Sequence, residues 1–380
     1  MTKLNLKRTV AMARKEFIQI RRDSRSLLIA VLLPLIQILM LGYGARLDAN
    51  HIPVYVLDQD GSQDSQNLLK AFQASPYFDV IKVVDTYKDL GDAIDADRCK
   101  LGLVIPWNFS QNLHNAAQTK VQALLDGTDN NSAQLAVGYA QAVITTFSTN
   151  ITVNWLSRYG LSQLASSPLS VDYRTWFNEE LESKNFIIPG TVALVMALMG
   201  ALLSSLTIAR EWERGTMEQL IATPVTALEI MIGKLAPYLA IGLADATLCA
   251  IFAVAWFRVP FRGGIGTFFF ITTLFLIVIL GIGYMISVAT KNQLAAGQYA
   301  LLVTLLPTSM LSGFAFPIDQ MPRAIRAITY LIYSRYYVSA LKRIFLAGNG
   351  LRDLRTEVIA LSVYALVVGY FATSAFRKTL

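Results

Sequence analysis

Six stretches of this chain are long and uncharged enough to cross a lipid bilayer, and they limit its architecture more than any other feature. A helix rises 1.5 Å per residue, so about 20 apolar residues cover the roughly 30 Å hydrocarbon core. Between Arg25 and Arg46 lies SLLIAVLLPLIQILMLGYGA, without a charge. The others run from Asn185 to Ala209, Leu235 to Phe257 (interrupted only by Asp245), Gly263 to Thr290, Asn292 to Ile318 and Val358 to Phe376. The expected fold class is a polytopic α-helical membrane protein with six transmembrane helices. Composition agrees: 16% of residues are charged, against about 25% in an average chain, and mean hydropathy is +0.45. The first stretch follows a long basic flank, and no small-residue cleavage site follows it, so a retained anchor is expected rather than a signal peptide.

Charge bias sets orientation. Ahead of the first span stand Lys3, Lys7, Arg8, Arg14, Lys15, Arg21, Arg22 and Arg25, against only Glu16 and Asp23. This places the N-terminus in the cytoplasm, and six spans return the C-terminal Arg377 and Lys378 there. The chain is expected to be a multi-pass inner-membrane protein. Residues 46–184 then lie outside, with 16 acidic and 10 basic residues. The basic surplus sits beside the membrane and does not point to nucleic acid. One region runs against the rule. The segment between spans five and six is placed outside, yet carries Arg323, Arg326, Arg335, Lys342, Arg343, Arg352 and Arg355.

The outside segment reads as an extracytoplasmic α/β domain between spans one and two. IPVYVLD (52–58), FDVIKVVD (78–85), CKLGLVIP (99–106) and KVQALLDG (120–127) have strand patterns. SQNLLKAFQ (65–73), YKDLGDAIDAD (87–97), NFSQNLHNA (108–116) and 132–158 have helical spacing. SSPLSVDYRTWFNEE is expected to be a linker. The only histidines are His51 and His114, and no nucleophile elbow or zinc-protease motif is present, which argues against a membrane enzyme. Asp58, Asp60 and Asp64 read as a solvated turn, because the closing Glu of a calcium loop is missing. Cys99 and Cys249 lie in different regions and are expected not to pair.

The segment after the second span, REWERGTMEQLIATPVTALEIMIGK, sets Glu211, Glu213, Arg214 and Glu218 among Trp212, Met217, Leu220 and Ile221. A short amphipathic helix is expected over 211–223, ended at Thr223-Pro224 because the residue before proline disfavours helix. The segment is either a membrane boundary or a lever that a soluble partner pushes. The N-terminal residues 1–25 interleave Leu6, Val10, Met12, Ala13, Phe17 and Ile20 with Lys and Arg. That pattern predicts an interfacial helix lying among lipid headgroups, followed by the first transmembrane helix at 26–45.

Glu213, Arg214, Gly215, Thr216, Glu218 and Leu220 match the Glu-Arg-Gly-Thr-x-Glu-x-Leu pattern that type-2 ABC exporter permeases carry on their coupling helix. The chain resembles that family along nearly its whole length. RKEFIQIRRDSRSLLIAVLLPLIQILMLGYG, with Arg14, Lys15, Glu16, Arg22 and Asp23, resembles its interfacial helix and first span. WFNEELESKNFIIPG resembles its re-entry into span two. LLPTSMLSGFAFPIDQMP resembles its fifth span and outer re-entrant loop, here 317–356 within the 185–380 region of spans two to six. The long first outer loop resembles bacterial drug-efflux members. The resemblance implies a permease with Glu211, Glu213, Arg214, Gly215, Thr216, Glu218 and Leu220 as the ATPase-coupling site. Its implied partners are two ABC ATPase subunits, a second identical or homologous permease, membrane lipids and a periplasmic adaptor. It implies no cofactor in this chain, ATP and Mg being bound by the ATPase. No Gly-x-x-x-x-Gly-Lys-Ser/Thr motif occurs, so ATP hydrolysis is expected from another polypeptide.

For a substrate pathway the sequence offers Asp245, Tyr284, Gln298 and Tyr299. A carboxylate at the bilayer centre costs about 2.5–3.5 kcal/mol on insertion scales. Asp245 should therefore face protein or water, either for substrate cations or protons, or as a paired structural residue. The rival reading of the whole chain is a membrane-anchored sensor whose outer domain binds a ligand. Co-purification with an ATPase separates the two.

Overall fold

The computed structural model describes residues 5–44, 51–115, 118–128, 130–158, 177 and 182–375. The chain divides into two compact units, Met1–Ala45 with Thr175–Leu380, and Arg46–Arg174. The helical unit begins with α1 (Leu6–Arg22) and α2 (Ser24–Gly44).

The second unit follows as β1 (Ile52–Asp58), α3 (Gln63–Gln73), β2 (Phe78–Val84), α4 (Tyr87–Asp95), β3 (Leu101–Ile105), α5 (Phe109–His114), β4 (Gln122–Leu125) and α6 (Asn130–Arg158). All four expected strands form, in the order β2-β1-β3-β4. The first three are parallel, with Val54 opposite both Val80 and Leu101, and β4 runs antiparallel to β3. Alternation along β1 divides the core. Ile52, Val54 and Val56 join Leu68, Phe72, Phe109 and Ala140 on one face. Leu57 joins Leu90 and Val104 on the other. Asp58 closes β1 as expected for a turn: it accepts the amides of Asp60 and Gly61 at 3.1 and 3.0 Å, and the Ser65 hydroxyl at 2.7 Å. The expected linker, 166–180, lies outside the described residues except for Phe177.

The helical unit resumes with α7 (Ser183–Glu213), α8 (Met217–Ala222), α9 (Ala227–Ala255), α10 (Ile265–Thr290), α11 (Gln293–Leu311), α12 (Arg323–Thr329), α13 (Tyr333–Lys342) and α14 (Arg355–Ala375). Among the described residues five helices are long and apolar enough to cross a membrane: α7, α9, α10, α11 and α14. The sixth expected span falls on α2, which is apolar over Ala30–Gly44. The most apolar stretch of α7 is 83% buried, because α10, α11, α9, α2 and α13 surround it. By contrast α11 exposes Leu302 and Leu306, and α14 exposes Val363 and Leu366. Outer helices with apolar outward faces are what lipid contact requires, and the chain is a multi-pass membrane protein.

Within 317–356, the segment expected as an outer re-entrant loop, the chain is mostly helical. Tyr333, Ser334, Tyr337, Val338 and Leu341 line one face of α13 and are buried in the bundle. Tyr337 stacks on Phe275 at 3.9 Å and meets the Thr272 hydroxyl at 3.1 Å. Four of the segment's basic residues are also engaged internally, while Arg323, Arg352 and Arg355 are exposed. Lys342 donates to Gly313 O at 2.7 Å and lies over the Phe186 ring, Arg343 pairs with Glu357 at 2.9 Å, Arg335 lies over Tyr330 and Arg326 caps Asp319 O. Charges held this way take part in folding the segment.

Candidate functional site

The segment 211–223 is not one helix. Glu211, Trp212 and Glu213 form the last turn of α7, Arg214-Gly215-Thr216 is a turn, and α8 begins at Met217. Gly215 causes the break. Its φ of +67° lies in the left-handed region, open to glycine without strain. Its amide bonds to Trp212 O at 3.1 Å, and the Thr216 amide to Glu211 O at 3.0 Å. At the other end Thr223 is extended (φ −76°, ψ 152°), as the following proline requires. The short α8 is held by Met217 and Leu220, which are buried with Met12, Ile208, Ile230 and Tyr284. Arg214, Glu218 and Gln219 stay exposed. The result is a polar face on an apolar anchor.

Behind this turn lies a buried ionic joint. Lys234 of α9 is fully buried and donates to Glu16 Oε2 of α1 and Glu211 Oε1 of α7, both at 3.0 Å. Lys15 reaches the same Glu211 oxygen at 3.1 Å, and Thr216 donates to Oε2. The Tyr238 hydroxyl, one turn beyond Lys234, donates to Glu16 Oε1 at 3.1 Å. Two carboxylates thus meet two ammonium groups, and every charge has a hydrogen-bonded partner, as burial demands. Arg210 and Asp23 add a pair at 3.5 Å. The two halves of the joint approach because Gly233 lacks a side chain: a Cβ there would stand 2.5 Å from Met12 Cβ.

The N-terminal helix is helical as expected, but its apolar residues split between two faces. Thr9, Met12, Glu16 and Ile20 recur at helical spacing and are buried, and α1 packs against α9. Leu6, Val10 and Phe17 remain more than half exposed on the other side. Arg14 and Arg22 are also exposed. Asn5 caps α1 and donates its amide to Glu229 at 2.7 Å, while Glu229 and Thr226 form a capping box on α9. Arg8 donates to Pro224 O at 2.6 Å.

A second linkage runs forward from the turn. Glu213 accepts the backbone amide of Gln293 at 2.7 Å, together with its side-chain amide. That ties the end of α7 to the first turn of α11, where a carboxylate also meets the positive helix dipole. Lys291 stands 4.4 Å over the Trp212 ring. Glu213 is therefore engaged within the chain.

The structure does not bring the four pathway residues together. Asp245 is buried in α9, and its Oδ2 has no hydrogen-bond partner among the described residues. Tyr284 is buried in the cluster beneath α8. Gln298 and Tyr299 stand on an exposed face of α11. Sequence reasoning missed Lys234, Tyr238 and Gln293. The first two carried a signal, a lysine at the edge of an apolar run with a tyrosine four residues on. The third had none, since its role depends on where α11 starts in space.

The surface turn at the end of α7 is thus tied to α1 and α9 by buried charge and to α11 by Glu213, within the bundle of a multi-pass membrane protein. The chain belongs to the family described as ABC-2 family transporter protein, whose model matches residues 25–374. It is 39% identical over 348 residues to the Probable multidrug ABC transporter permease YbhS of Escherichia coli (strain K12), covering 91% of this chain and 90% of that protein. It is 27% identical over 367 residues to the Probable multidrug ABC transporter permease YbhR of the same organism, covering 96% and 97%. The Inner membrane transport permease YhhJ, also of that strain, is 28% identical over 336 residues, covering 87% and 86%.

Proposed function

We propose that this chain is the permease half of an ABC exporter, moving a hydrophobic or amphipathic substrate outward across a bacterial inner membrane. A separate ATPase pair binds ATP and Mg and drives it. In this reading six spans leave both termini in the cytoplasm and the α/β unit outside. A second permease, identical or homologous, completes the pathway, and the exposed Gln298–Tyr299 face of α11 suits that contact. A periplasmic adaptor is compatible with the outer unit. The names of the relatives support a drug-like substrate.

The observation that carries this reading is the Arg214–Leu220 turn, exposed on its polar face and bound on its other side to α1, α9 and α11. An ATPase that grips Arg214, Glu218 and Gln219 pushes on α8. The push passes through Glu211 to Lys234 and Glu16, and through Glu213 to Gln293, so that α7, α9 and α11 move as a set. Gly215 allows the turn to flex and the partner backbone to approach. Leu6, Val10 and Phe17 lie in the headgroup layer and give α1 its purchase on the membrane. Asp245 is the candidate for substrate cations or protons.

Charge reversal at Arg214 and Glu218 tests this. Co-purification of an ATPase encoded beside this chain should fall at least tenfold while the permease stays folded and inserted. Undiminished co-purification, or ATP hydrolysis by the chain alone, would sink the proposal.

A further inference from the structure

The core of the α/β unit is open on one side. Between α6, α5 and β4 lies a cavity of about 740 Å³, within the roughly 300–1,000 Å³ usual for small-molecule sites. Phe109, Ile144, Phe147 and Trp155 form its apolar walls, and Gln141 and Thr119 supply polar atoms. Two features separate it from loose packing. Among the described residues no charged one lines it, although Arg46 to Lys184 holds 16 acidic and 10 basic side chains. The Thr119 hydroxyl is shielded from solvent yet has no hydrogen-bond partner among the described residues. A shielded hydroxyl without a partner is costly, and a ligand that bonds to it removes that cost.

We propose that this cavity binds an uncharged, largely apolar small molecule carrying one hydrogen-bonding group for Thr119. An ionised ligand would lose its hydration without gaining a counter-charge, so the lining selects neutral molecules. The aromatic walls give flat contact to a ring system, and Thr119 fixes its orientation. The site belongs to this chain's own residues and does not depend on the ATPase partnership.

The test uses the full-length chain in phosphatidylcholine nanodiscs with a neutral aryl diazirine alcohol, photolysed and mapped by peptide mass spectrometry. Labelling should be saturable within 109–125 and 137–156 and should be displaced by the non-photoreactive parent alcohol. Ala123→Trp places an indole at the cavity border on β4. It should lower the displaceable labelling at least tenfold and leave lipid-facing labelling of α11 and α14 unchanged. Thr119→Val keeps the side-chain volume and removes the hydroxyl, so half-saturation should rise about three- to tenfold. A sulfonated analogue should not compete. The proposal is overturned by non-saturable labelling, by unchanged labelling in Ala123→Trp, or by equal competition from the sulfonate. ATPase co-purification, which these variants leave intact, reports on the exporter reading separately.

Discussion

In the α/β unit Lys100 sits at the surface between Asp97 and Asp126, at 2.5 and 2.6 Å, with partners no more than 26 positions away. In the helical unit Lys234 is fully buried and meets Glu16 and Glu211 across 218 and 23 positions. The first arrangement lies at the surface, where Lys100 just before β3 meets Asp126 just after the paired β4. The second ties α1 to α9 from positions 218 apart in the chain, in surroundings where an unpaired charge is very costly. A buried, long-range pair therefore specifies how helices dock, whereas a surface pair trims what the fold has already placed.

Breaking the buried pair should have the largest effect. Lys234→Met leaves Glu16 and Glu211 facing each other without their shared cation, and should cost about 3–5 kcal/mol. Thermal unfolding in detergent would show it as a lowered midpoint, and adding Glu16→Gln should restore much of the loss. Equal midpoints for single and double variants would mean that the joint does not couple α1 to α9. Next in size is Gly233→Val, which forces a side chain against Met12 and Thr9 O. Overpacking of this kind costs about 1–3 kcal/mol. It should release α1 from α9, read as faster proteolysis after Lys7 and Arg8, while the α/β unit stays resistant. Third is Gly215→Ala. Nothing lies within 4 Å of a Cβ there, so only the left-handed backbone matters, at about 1–2 kcal/mol. Gly215→Asn should lose less than Gly215→Ala, because asparagine tolerates that conformation.

Much of this architecture was legible in the sequence because its signals are local. The alternation of IPVYVLD gives a strand, and Thr223-Pro224 stops a helix by its own sterics. The apolar run from Ser24 to Gly44 makes a helix whatever surrounds it. The Gly215 break was less visible, since glycine inside a pattern rich in Glu, Met and Leu does not announce a positive φ. Burial was not legible at all. Nothing in the composition of α7 says that it is central while the equally apolar α14 faces outward, because that depends on which helices pack around it. The split of α1 into a docked face and an outer face follows from the same cause. Leu6 and Met12 look alike as residues, and only the approach of Gly233 makes one of them core.

The smallest effect belongs to the surface pair, and its pH dependence sharpens the contrast. The Lys100 ammonium, followed by the Thr128 hydroxyl and amide, holds the Asp126 carboxyl well below the usual carboxylate range. A depressed carboxyl pKa contributes stability that is fully present above its unfolded value, about 3.9, and is lost as pH falls through the folded value. The Asp126 contribution should therefore survive at neutral pH and disappear only in strong acid. Lys100→Met returns Asp126 toward its ordinary range, so acid loosening of β3 and β4, followed by hydrogen exchange at Gly102 and Leu124, should begin at higher pH than in the parent. At pH 7 the variant should keep its fold and the helical unit should be unaffected, in contrast to Lys234→Met. If Lys100→Met lowers the unfolding midpoint at pH 7 as much as Lys234→Met does, burial does not set the two pairs apart.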